Sequence, residues 1–145
     1  MPQSIETSLV MKLACAWVLL ASCVVVHSAG LITLADWLDK AGEFASRRFL
    51  WRLWLLVRLA GAIILLHMLQ ILLWALFYQW RDCMPDLTTA YYFSAVTYTT
   101  VGYGDLVLPV PWRNMAGVEA LTGILMSGLS TGFFFVALNR MFERK

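Results

Sequence analysis

Three stretches of the chain are apolar and free, or nearly free, of charge. Leu13 to Ala35 and Leu59 to Trp80 contain no Asp, Glu, Lys or Arg, and the run from Asn114 up to Arg140 contains only Glu119. A helix crosses the hydrocarbon core with roughly 20 apolar residues, so each run predicts a transmembrane helix. Between the first two runs lies DWLDKAGEFASRRFLWRLW. Leu38, Ala41, Ala45 and Phe49 keep helical spacing there, and charges of both signs fill the positions between them. That pattern predicts an amphipathic helix lying at the membrane surface over 36–58. From Arg81 to Trp112 the apolar pattern breaks, and the segment is too polar to span.

Composition agrees with this pattern. Of 145 residues 61% are hydrophobic and 14% charged, against about 45–50% apolar and about 25% charged in ordinary globular domains. The chain therefore reads as an all-α integral membrane protein with membrane lipid as its surroundings. A net charge of +2 gives no case for nucleic acid as a partner. Cys15, Cys23 and Cys83 have no metal-ligand spacing; the first two lie in an apolar run and read as small buried hydrophobes, while Cys83 faces the outside and is open to cross-linking. No nucleophile, acid–base pair or metal-binding cluster suggests an enzyme.

The first run also has a processing alternative. VVVHSAG ends in small residues, as a cleavage site does, which would start the mature chain near Gly30. The segment before it, MPQSIETSLVMK, carries one lysine and also Glu6, and the run is longer than a signal peptide's apolar core, so a retained helix over 1–35 is the preferred reading. Lys40, Arg47, Arg48, Arg52 and Arg58 cluster between the first and second runs, and Arg140, Arg144 and Lys145 follow the third. Cytoplasmic loops collect Lys and Arg, which places both segments inside and the N-terminus and the 81–112 link outside, in a multi-pass protein of the cell membrane. The arginines do not recur at every third position, so they read as anchors and not as a voltage sensor. The tail over 141–145 leaves no room for a soluble regulatory domain.

The outer link holds the most specific motif, TYTTVGYGDLVLP at 97–109. Backbone without helical hydrogen bonds is tolerated at membrane depth only where protein buries it or where it lines water. Gly102 and Gly104, alternating with Val101 and Tyr103, allow successive carbonyls to point one way. TTVGYGD resembles the selectivity filter of the pore-loop potassium channels. Pro109, Trp112 and GILMSGLSTG in the last run are similar to the inner helix of small two-transmembrane prokaryotic members, the likeness covering Leu59 to Asn139.

The resemblance implies a pore domain over 59–140. Its parts are an outer helix 59–80, a re-entrant pore helix 87–99, a filter 100–105 and an inner helix 112–140. It implies K+ as the permeant ion, held at Thr100, Val101, Gly102 and Tyr103 with Gly104 completing the filter, and no organic cofactor. Four such loops surround one axis, so the assembly would be a homotetramer with cyclic symmetry. The local sequence LTTAYYFSAVTYTT favours strand instead, through its Tyr, Phe, Val and Thr; burial is expected to override it. A rival reading is a non-conducting subunit that assembles with or regulates other channels through the extra first span.

Some members of that family carry a glutamate on the pore helix that pairs with the filter aspartate. Here the position is Val96, which leaves Tyr92 as the implied partner of Asp105. Where many relatives have a tryptophan supporting the filter tyrosine, this chain has Phe93, so Thr97 is the remaining partner for the Tyr103 hydroxyl. Glu119, His67 and Gln70 lie within predicted spans, where polar groups face the bundle interior and find partners. They are read as structural hydrogen-bonding groups, with pH sensing by Glu119 or His67 as the alternative. On the last helix a period of 3.6 puts Ile124, Ser127, Thr131, Phe135 and Leu138 or Asn139 on one face. It reads as a polar cavity narrowing to a ring of Phe135 side chains, able to stop ions by dewetting. Gly123 and Gly128 above it ease bending.

Overall fold

The computed structural model describes the backbone of residues 2–43 and 49–143 and the side chains within 9–40 and 49–141. It is a bundle of α1 (Pro2–Glu43), α2 (Phe49–Trp80), α3 (Leu87–Tyr98) and α4 (Arg113–Glu143), with a single 3-10 turn at Val110–Trp112 leading into α4. No strand occurs among the described residues. Three segments, Leu9–Lys40, Phe49–Trp80 and Val110–Met141, are long and apolar enough to cross a membrane. Each has 32 residues, or about 48 Å at 1.5 Å per residue, longer than the ~30 Å hydrocarbon core. The chain is a multi-pass membrane protein.

The surface helix expected over 36–58 is not a separate element. Residues 36–43 continue α1 and 49–58 begin α2, while 44–48, including Ala45, Arg47 and Arg48, lie outside the described residues. The physical reason is cooperativity: adding a residue to a formed helix is far easier than nucleating a new one. Leu38, with the phase expected of the surface helix, is instead buried with Leu59, Ile63 and Ala137, and Phe133 and Phe134 pack against that cluster. At the same end Asp39 and Arg140 pair at 3.3 Å, joining the C-terminal ends of α1 and α4. The Arg58 guanidinium lies over the rings of Trp37 and Trp54, 5.0 Å and 4.5 Å from their centroids.

At the opposite end α3 dips between α2 and α4. Its residues prefer strand, but two features outweigh that preference. Asp86 caps the first turn, accepting from the Thr89 N–H at 2.8 Å and from the Thr89 hydroxyl at 2.8 Å. Ala90, Phe93, Ser94 and Tyr98 then recur at helical spacing and are all buried. Ala90, Phe93 and Tyr98 join the larger core with Trp74, Tyr78, Met115 and Met126. Phe93 sets its ring edge-on to Tyr78, with centroids 5.4 Å apart. Cys83, expected to face outside, is buried in the same cluster, and burial pushes its thiol above the ordinary cysteine range. Cys23 is buried and Cys15 partly so.

Candidate functional site

The stretch after α3 begins on the helix itself. The N–H groups of Thr99, Thr100 and Gly102 donate to the carbonyls of Ala95, Thr97 and Val96 at 3.1, 2.9 and 3.1 Å. These bonds satisfy the helix-end acceptors that otherwise lack partners, and they tie the loop to α3. Thr100, Gly102 and Gly104 have φ of 62°, 57° and 78°, so left-handed backbone recurs at alternate residues. Glycine adopts it freely. Thr100 is β-branched and does not, so its conformation costs on the order of 1–3 kcal/mol and persists only where the surroundings fix it. Among the described residues, the carbonyls of Thr100, Val101, Gly102, Tyr103 and Gly104 accept no hydrogen bond.

The flanks of this loop are held more firmly. The Tyr92 hydroxyl donates to Asp105 Oδ2 at 2.7 Å, fastening the loop's exit to the middle of α3. That bond to a carboxylate raises the Tyr92 phenol above its ordinary range. Tyr103 is 72% exposed within the single chain, and no hydrogen bond joins it to Thr97 among the described residues. Thr97 instead lines an open cleft with Phe93, Thr100, Gly102, Leu106 and Ala116.

On α4, Ile124, Ser127, Thr131, Phe135 and Asn139 are all exposed, and Leu138 is half-buried. Phe135 is 63% exposed on that face, whereas Phe133 and Phe134 turn toward α1 and α2. Gly128 has open space around it. Gly123 has a use beyond bending: a Cβ built there would collide with the carbonyl of Tyr98, lying 2.8 Å from its carbon. Only glycine lets α4 pass this close to the end of α3.

Behind α3 sits Glu119, fully buried on α4. Tyr78 of α2 donates to its Oε2 at 2.7 Å, and Ser94 of α3 meets its Oε1. Ser94 Oγ also lies 2.9 Å from the carbonyl of Ile71. A hydroxyl has one hydrogen, so Ser94 cannot donate to both acceptors. For both contacts to be hydrogen bonds, Glu119 has to carry the carboxyl hydrogen and Ser94 to donate to Ile71. His67 and Gln70 are joined in a second buried network, with His67 Nδ1 3.1 Å from the Tyr98 hydroxyl and the latter donating to Gln70 Oε1 at 2.7 Å. Tyr78, Ser94 and Tyr98 did not stand out from the sequence, nor did Ser130, whose Oγ lies 3.0 Å from His67 Nε2, or His27, whose Nδ1 lies 2.6 Å from Gln70 Nε2. The signal for His27 was the one applied to His67, an ionisable residue inside a charge-free run.

A family model described as an ion channel matches residues 48–140. The chain belongs to that ion channel family. The match takes in α2, α3, the loop and most of α4, and it leaves α1 outside. Comparison with curated proteins and with solved structures yielded no match. Membership of that family points to passive ion conduction.

Proposed function

We propose that the protein is a potassium-selective channel and that Thr100 to Gly104 form its filter. The observation that carries this reading is the loop's backbone. The N–H groups of Thr100 and Gly102 turn back onto α3, the loop's carbonyls are left without partners among the described residues, and left-handed residues alternate with others. Alternation of hand turns successive carbonyls to one side, and carbonyls in that arrangement can replace an ion's hydration shell. K+ is the permeant substrate, with Thr100, Val101, Gly102 and Tyr103 as its ligands.

One chain supplies one such loop, so the conducting form is a homotetramer around the axis that these carbonyls face. The exposed face of α4 then lines the cavity below the filter, and lipid covers the outer surfaces. The last turn of α3 points its C-terminal end toward the same axis, where its partial negative charge favours a cation. Vesicles holding the purified protein should take up radioactive rubidium against a potassium gradient and exclude sodium. Equal uptake of rubidium and sodium would refute selectivity for potassium.

The basic ends of α1 and α4 lie on the cytoplasmic side, with the N-terminus and the loop outside. A cysteine introduced at Ser4 should then react with an impermeant maleimide added to intact cells. Reaction only after lysis would reverse that topology.

A further inference from the structure

Deep in the bundle, five side chains from all four helices close a ring. Gln70 Nε2 lies 2.6 Å from His27 Nδ1, and His27 Nε2 lies 2.9 Å from Ser130 Oγ. Ser130 Oγ lies 3.0 Å from His67 Nε2, His67 Nδ1 lies 3.1 Å from the Tyr98 hydroxyl, and that hydroxyl reaches Gln70 Oε1 at 2.7 Å. His27, Gln70 and Ser130 are buried, and the two imidazoles are 5.0 Å apart.

The hydrogens can be counted. With both imidazoles neutral, the amide donates to His27, His27 to Ser130, Ser130 to His67, His67 to Tyr98 and Tyr98 to the amide oxygen. Five hydrogens fill five links, and each member gives one and takes one. Turning the amide over reverses every arrow and still closes the ring. The member on α1 must accept at one end of its side chain and donate at the other, which a neutral imidazole does.

The ring grips a particular place. Tyr98 is the last residue of α3, two before Thr100 with its left-handed backbone. Its carbonyl is seated against Gly123 and its hydroxyl is in the ring. A conformation that costs free energy needs such constraint from its surroundings, and selectivity depends on the constraint of the filter oxygens as well as on their number.

We propose that His27 is a positioning residue for ion selection: through the ring, α1 fixes the end of α3 and so the geometry of Thr100 to Gly104. The first helix, outside the matched family region, is thereby part of the selecting apparatus and not only a membrane anchor. This rests on the reading of the loop as a potassium filter.

The test is the ratio of potassium to sodium permeability from reversal potentials in reconstituted membranes. That ratio belongs to each open channel, so a loss of folded protein alone leaves it unmoved. Wild type should prefer potassium strongly. His27→Phe, which keeps the ring's bulk and removes its nitrogens, should lower the ratio roughly fivefold to tenfold, the size expected for losing one or two buried hydrogen bonds. Ser130→Ala should do the same, and it carries the prediction if His27→Phe fails to assemble. Because the ring acts as a unit, the double variant should fall no further than either single one. Wild-type ratios in the single variants would overturn the inference while leaving the filter reading intact, as would a double variant whose loss is the product of the two. A wild type without preference for potassium would overturn the filter reading and this inference with it.

Discussion

The two sides of α3 are finished to different degrees. On the side facing α1, α2 and α4, the polar side chains are paired: Ser94 with Glu119 and Ile71, Tyr98 with Gln70 and His67. On the other side, Tyr103 is exposed, the loop carbonyls have no partner among the described residues, and Phe135 projects from α4. Unpaired polar groups are costly in an apolar medium, so they survive only where water, an ion or another chain meets them. The inner side is thus a scaffold whose α3 side chains find their partners within one chain. On the proposed reading, the outer side is where copies of the chain and ions would meet.

The largest effect should come from breaking the unfinished side. Tyr103→Asp puts a charged group where neighbouring chains would pack behind the carbonyls. We expect the potassium-to-sodium permeability ratio to fall more than tenfold, on the premise that constraint of the oxygens sets selectivity. A reversal potential unchanged from wild type would show that the loop is held without Tyr103.

Breaking the finished side should act on stability first. Glu119→Leu strands the Tyr78 hydroxyl and removes a partner of Ser94, at about 1–3 kcal/mol for each unsatisfied group. Glu119→Gln offers Tyr78 an oxygen and Ser94 an N–H, so it should come within about 1 kcal/mol of wild type. The thermal midpoint of the assembled protein should therefore rank wild type close to Gln and well above Leu. Equal midpoints for all three would remove Glu119 from the scaffold.

A smaller effect separates the two faces of α4. Phe135→Ala should raise resting rubidium uptake a few-fold by widening a hydrophobic constriction, a change of less than about 1 kcal/mol in the barrier. Phe133→Ala, on the packed face, should lower stability and leave uptake per folded channel unchanged. If neither changes the uptake, the constriction is not on this face.

How much of this was legible in the sequence follows the same division. The spans were readable because a charge-free run of sufficient length has few alternatives in a membrane. The candidate filter stood out because TTVGYGD is a specific motif, and the Tyr92–Asp105 hydrogen bond followed from alignment to it. The surface helix over 36–58 was misread, since periodicity gives the phase of a helix and not where it ends. Leu38 has the phase of a surface helix and the burial of a core residue. The ring was half-read. His67 and Gln70 were marked as polar groups within a predicted span that must find partners, but those partners, Ser130 and Tyr98, stand on other helices. His27 sat in VVVHSAG, where its neighbours suggested a cleavage site.

The smallest expected effect lies at the start of α3, where the scaffold meets water. Asp86 is exposed, and its carboxyl accepts from the Thr89 N–H and hydroxyl, which hold it below the usual aspartate range. A carboxyl with a lowered folded-state value contributes stability above its unfolded value, about 3.9, and loses it as the pH falls through the folded value. Asp86→Asn keeps a side-chain oxygen for the cap and removes the charge. The midpoint advantage of wild type over this variant should be slight and constant above about pH 5, and it should vanish as the pH drops below about 4. Because the cap is exposed, salt should shrink the advantage as well. An advantage independent of pH would mean that the carboxylate's charge adds nothing to the cap, and that the buried stripe of Ala90, Phe93, Ser94 and Tyr98 with the cap's neutral hydrogen bonds holds a strand-prone sequence as a helix.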